Sequence, residues 1–200
     1  MSKTLEFIFD FGSPNAYLAY KALPSVLERT GASLLITPCL LGGIFKATGN
    51  QAPMIAFGSI RNKLDYEKRE MDRFISKYAL NDFAFNPHFP VNTLLLMRGA
   101  IAASRSNDLM TYVEVGLAAM WEDGKKMDDP ETFVAVMDAG GLDGAELLRQ
   151  TQDPDVKMEL ATNTEHAVER GAFGIPTFFV GDEMFFGKDR LDQVEAELNR

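Results

Sequence analysis

The stretch Thr4-Leu5-Glu6-Phe7-Ile8-Phe9-Asp10-Phe11-Gly12-Ser13-Pro14-Asn15-Ala16 decides the fold. From Thr4 to Phe11, Leu5, Phe7, Phe9 and Phe11 alternate with Glu6, Ile8 and Asp10. Period-two spacing rich in aromatics predicts a strand. Gly12-Ser13-Pro14 follows. Serine is a favoured helix N-cap and proline suits the first helical position, so a helix is expected to start there. Its apolar positions include Tyr17, Leu18, Leu23 and Leu27, and Gly31 ends it. Ala32 to Thr37 reads as a second strand. A strand–helix–strand unit implies two parallel neighbours joined by a right-handed crossover.

Beyond this unit the pattern changes. From about Ile44 to Arg170 no convincing strand is found. Asn62 to Tyr78 places Leu64, Met71, Phe74, Ile75 and Tyr78 on one helical face. Val91 to Ser104 and Leu109 to Trp121 are also helical in pattern, and Asp129-Pro130 and Asp153-Pro154 each resemble a cap followed by proline. Strand character returns at Thr177 to Val180, turns at Gly181-Asp182, and resumes at Met184 to Phe186, which predicts a hairpin. Leu191, Val194 and Leu198 mark a last helix. Without the helical middle the order is βαβ–αββα, the thioredoxin arrangement. The expectation is an α/β chain whose thioredoxin-like domain is discontinuous, 1–43 and 166–200, with an all-helical insertion over 44–165. No internal repeat or low-complexity linker interrupts it.

Bulk properties narrow the function. The chain has 200 residues, 46% hydrophobic and 24% charged, with a formal net charge of -9. No Lys/Arg-rich run stands out, so no nucleic-acid partner is expected. The single cysteine, Cys39, permits neither an internal disulfide nor a Cys-x-x-Cys redox motif. Met1, Ser2 and Lys3 lead straight into the first strand without an apolar leader. The most apolar helical stretch, near Leu94 to Ala103, carries Arg98 and is too short to span a bilayer. These features predict a cytoplasmic protein with no membrane partner.

Four constellations could carry chemistry. Ser13, at the start of the first helix, stands where a thioredoxin fold has its reactive cysteine; the tetrad is Ser13-Pro14-Asn15-Ala16. A hydroxyl, free N–H groups and the helix dipole there would stabilise a thiolate delivered by a ligand. An isolated Ser-Pro is more often a simple cap. In Gly174-Ile175-Pro176-Thr177 the proline stands where thioredoxin folds place a cis bond. The Ile175 backbone would then pair with a peptide ligand as with an added strand. Gly187-Lys188-Asp189-Arg190 leads into the last helix, with Asp189 and Asp192 spaced like a capping box and the helix start suited to a carboxylate. It reads equally as a plain cap with two solvated bases. In the helical middle, Lys46, Asn50 and Asn92 are candidates, as are Lys63, Tyr66 and Glu70, which share one helical face. Singly, each reads as a cap or a solvated charge.

Other chemistries fit poorly. His88 and His166 with one cysteine do not make a metal-site spacing. Gly-x-Gly-x-x-Gly and Gly-x-Ser-x-Gly are both absent. Cys39 is expected to be a small buried hydrophobe, and Trp121 and most methionines to be core.

Phe9 to Ala19 resembles the opening of the 2-hydroxychromene-2-carboxylate isomerases, which group with kappa-class glutathione transferases and DsbA-like proteins. Similar stretches recur along the chain: Leu41 to Lys46, Gly49-Asn50, Lys63 to Tyr66, His88 to Thr93, Gly171 to Val180, and Gly181 to Leu191. The resemblance implies a DsbA-like fold, glutathione as cofactor, a small aromatic carboxylate as substrate and a homodimer. It assigns thiol activation to Ser13, the cysteinyl part of glutathione to Ile175 and Pro176, and its γ-glutamyl end to Gly187, Lys188 and Asp189. Lys46, Asn50 and Asn92 would face the second substrate. Two departures stand out: Glu70 where relatives often have aspartate, and Phe185-Phe186 where some carry tryptophan. A kappa-like transferase or peroxidase would share the glutathione site. A non-catalytic DsbA-like peptide-binding module would share only the groove. The missing second cysteine excludes a dithiol oxidoreductase.

Overall fold

A computed structural model describes residues 3–200. Met1 and Ser2, where the expected 1–43 segment begins, lie outside the described residues. The first unit forms as expected: β1 (Thr4–Phe9), α1 (Pro14–Thr30) and β2 (Ser33–Pro38), with β1 and β2 parallel. Ser13 caps α1 in extended geometry, and Gly31 closes it in the left-handed region at φ 66°. β1 stops two residues short of the expected Phe11. The Asp10 carboxylate accepts the Gly12 N–H at 2.8 Å, a local turn that takes the chain out of the sheet.

The helical middle contains α2 (Leu41–Thr48), α3 (Pro53–Ala56), α4 (Lys63–Tyr78), α5 (Leu94–Arg105), α6 (Leu109–Trp121), α7 (Pro130–Ala139), α8 (Gly144–Gln150) and α9 (Pro154–Glu169). Asp129 and Asp153 cap α7 and α9 as their Asp-Pro pairs predict. α5 starts at Leu94 rather than Val91, where the Asn92 side chain accepts the Leu94 N–H at 3.1 Å and makes a local turn ahead of the helix. The boundaries expected at 43/44 and 165/166 fall inside α2 and α9, each a continuous helix. β3 (Thr177–Val180) and β4 (Glu183–Phe186) form the hairpin, and α10 (Leu191–Leu198) closes the chain. The sheet order is β2-β1-β3-β4, with β3 antiparallel to both β1 and β4.

One aromatic core joins sheet and helices. Phe7 stacks on Phe178 at 5.2 Å, Phe9 meets Phe11 edge-on at 4.7 Å, and Phe11 meets Tyr112 of α6 at 5.8 Å. Trp121, fully buried, donates its indole N–H to the Phe11 carbonyl at 2.9 Å. The segment that leaves β1 for Ser13 is therefore clamped by the helical lobe.

Candidate active site

Ser13 and Ile175, far apart in sequence, meet where β1 ends and β3 begins. The Ser13 hydroxyl accepts the Ala16 N–H at 3.2 Å, as an N-cap does, and donates to the Ile175 carbonyl at 3.0 Å. Both residues are almost fully covered. The Ile175–Pro176 bond is cis, as the thioredoxin arrangement predicts. Among the described residues the Ile175 amide has no hydrogen-bond partner. Gly187, at φ 96°, donates its N–H to the Pro176 carbonyl at 2.9 Å. Ser13, Ile175, Pro176 and Gly187 thus form one linked set.

Two further polar groups belong here that reading the sequence missed. Asp10 is fully buried beneath the turn and accepts the Gly12 and Leu41 amides at 2.8 and 2.7 Å and the Thr93 hydroxyl. Burial raises its carboxyl above the ordinary range, although all three hydrogen bonds pull the other way. One carboxylate thereby fixes the exit of β1, the start of α2 and the approach to α5. The signal lay in Phe9-Asp10-Phe11, an acid flanked by apolar aromatics one turn before the serine. Asn15, in the first turn of α1, has a buried side-chain oxygen with no partner among the described residues. An unmet buried acceptor beside Ser13 is suited to a ligand N–H.

The Gly187–Asp189 segment does not form the expected capping box. Lys188 to Arg190 make a short 3-10 turn, and no side chain caps α10. The Asp189 carboxylate instead lies 3.2 Å from the buried Lys188 ammonium, and Asp192 reaches toward Lys77 at 3.5 Å. A nearby cation attracts each carboxylate more strongly than the weak partial charge of a helix end. Lys188 also lies 5.4 Å from the centroid of the Phe74 ring on α4. Glu70, Phe74, Lys77, Lys188 and Asp189 line a small cavity of about 170 Å³. Tyr66 and then Arg73 hydrogen-bond Glu70 and hold its carboxyl below the usual range.

The remaining candidates are dispersed. Asn50 donates to the Phe173 carbonyl at 2.7 Å, two residues before Ile175. Asn92, just before the N-cap Thr93, accepts the Leu94 N–H at the start of α5. Lys46 is exposed on α2 and lines a different cavity, one that neither Ser13 nor Ile175 borders. No group of three His, Cys, Asp or Glu side chains among the described residues could hold a metal ion. No described helix is long and apolar enough to cross a membrane.

A family model described as a DSBA-like thioredoxin domain matches residues 4–199. A 2-hydroxychromene-2-carboxylate isomerase of Pseudomonas sp. (strain C18) is 32% identical over 199 residues, covering 96% of this chain and 88% of the relative. Glutathione S-transferase kappa 1 of Homo sapiens is 25% identical over 213 residues, covering 96% and 89%. Among solved structures, a 2-hydroxychromene-2-carboxylate isomerase superposes with a TM-score of 0.84 at 28% identity, over 98% of this chain and 95% of that one.

Proposed function

The chain belongs to the DSBA-like thioredoxin family, and on that footing we propose that it is a glutathione-dependent isomerase of the 2-hydroxychromene-2-carboxylate type. The observation that carries the reading is the placement of the Ser13 hydroxyl 3.0 Å from the carbonyl of Ile175, whose own amide is unpaired among the described residues. These are the groups a cysteinyl backbone and its sulfur need. The Ile175 amide and carbonyl offer an added-strand pairing to that backbone. Once the carbonyl has a backbone N–H partner, the Ser13 hydrogen is free to turn toward the sulfur. The start of α1 adds partial positive charge at the same point.

When bound, glutathione would supply a thiolate that adds reversibly to the electrophile and is released unchanged. The protein stabilises that charge and positions the reacting groups. Gly187, Lys188 and Asp189, with Glu70 across the small cavity, are suited to the zwitterionic γ-glutamyl end. Asn50 and Asn92 are the polar groups assigned to a small aromatic carboxylate substrate. Exposed Met54, Ile55, Ile60 and Leu64 on and beside α3 and α4 offer an apolar surface for a second copy of the chain, in keeping with a homodimer. The one cysteine, reduced and buried, suits work in the cytoplasm.

The test is an assay of 2-hydroxychromene-2-carboxylate conversion with glutathione varied. The expected result is isomerisation that requires glutathione and does not consume it. Consumption with a chlorinated aromatic, and no isomerisation, would favour the kappa-like transferase to which the human relative points. Equal affinity for glutathione and its S-methyl form, with neither activity, would leave only a peptide-binding groove.

A further inference from the structure

The second cavity lies between α2, α5 and α9 and has a volume of about 440 Å³. That is within the usual size of small-molecule sites. Leu40, Leu94 and Leu160 give it apolar walls, and Lys46, Arg98 and Lys157 bring three cations to it. Glu165 is the single carboxylate among its lining residues. In a chain of net charge -9 this is a local reversal of sign.

The three cations also lack acidic partners, and one of them has a buried nitrogen that is unmet among the described residues. Most basic side chains elsewhere pair with acids, as Arg29 does with Glu195 and Arg105 with Glu159. Among the described residues, Lys46, Arg98 and Lys157 make no ion pair. Lys157 only donates to the Gln152 side chain at 3.2 Å. The Nε of Arg98 is buried with no hydrogen-bond partner among the described residues. A buried guanidinium nitrogen left unmet is costly, and an oxyanion is its natural partner.

We propose that this cavity binds a small carboxylate with an apolar body, held by Arg98, Lys46 and Lys157, at a site separate from Ser13. The carboxylate meets the guanidinium at the buried end, and the apolar body lies against the leucines. Neither Ser13 nor Ile175 borders the cavity, so the site stands whether or not the glutathione reading does.

The test is calorimetric titration with 1-naphthoate, with and without saturating glutathione, and with 1-naphthamide as the uncharged control. The parent protein is expected to bind the carboxylate, to bind the amide far more weakly, and to keep its carboxylate affinity in glutathione. Arg98→Met is expected to weaken naphthoate about tenfold, the loss of one charge-assisted hydrogen bond, and to leave glutathione affinity unchanged. Should Arg98→Met fail to fold, Lys157→Met at its half-buried position carries the same expectation. Absence of naphthoate binding, parental affinity in the variant that is measured, or displacement by glutathione would each overturn the proposal.

Discussion

Ser13 gives its hydroxyl hydrogen to the Ile175 carbonyl at 3.0 Å, while the same oxygen caps the first turn of α1 through Ala16. Cap and candidate catalyst are one group. Replacing Ser13 with alanine therefore removes both roles. Loss of the cap is expected to lower stability by about 1 kcal/mol. Loss of the donor is expected to raise the thiol pKa of bound glutathione and to slow turnover about a hundredfold, as when one oxyanion donor is deleted. Ultraviolet titration of the bound thiolate checks the first effect; a titration identical to the parent's would remove Ser13 from the chemistry.

Asp10 meets three donors in a fully buried setting. Asp10→Ala strands the Gly12 and Leu41 amides and the Thr93 hydroxyl. The expected loss is about 3 kcal/mol or more, since each unmet buried donor costs on the order of 1–3 kcal/mol. Urea denaturation measures it, and a loss below about 1 kcal/mol would mean that water replaces the carboxylate.

The raised Asp10 pKa also has a sign in the pH dependence. The folded protein holds this proton more tightly than the unfolded chain, whose aspartates titrate near about 3.9. As pH climbs from about 4, the unfolded chain loses the proton first, so native stability falls until the folded group has also ionised. Asp10→Asn lacks that titration. The stability of the parent relative to Asp10→Asn should therefore decline as pH rises through this window. Melting curves of both proteins at stepped pH values check it; a difference that stays flat or grows would contradict the direction.

Cys39 is buried, donates weakly to the Asn163 carbonyl at 3.4 Å, and has its thiol pushed far above the usual range by burial. The native protein should resist aromatic disulfide reagents at neutral pH, reacting only as fast as it opens. Rapid native labelling would show that this strand end breathes.

Gly116 on α6 faces Phe11, and a Cβ there would come within 2.5 Å of the Phe11 ring. Gly116→Ala is expected to destabilise by about 1–3 kcal/mol through overpacking. It should also weaken glutathione binding, because Phe11 precedes the Gly12-Ser13 turn. A melting temperature equal to the parent's would show that Phe11 has room to move.

Much of this was legible in the sequence for a local reason. Ser13-Pro14 and Gly31 punctuate α1, and the alternation in β1 and in the hairpin marks the sheet without tertiary information. The candidate site around Ser13 and Ile175 was legible because its parts sit at fixed places in the element order. What escaped notice depends on distant partners. α2 contains two glycines and has no side-chain cap; its start is held by Asp10 and its preceding amide by Thr164, 124 residues away. Asp189 and Asp192 had capping spacing, but Asp189 pairs with its own neighbour Lys188, and the cation that diverts Asp192, Lys77, comes from another helix. Arg98 reads as a charge in an apolar helix; only the packing of α2 and α9 around it shows that its nitrogen is unmet.

α9 runs unbroken from the helical lobe to the loop that carries Ile175. A shared beam of this kind gives the two lobes no seam at which to part. Excising residues 44–165, the stretch expected as an insertion, would sever the beam and take the Arg98 cavity with it, so the lobes should melt as one.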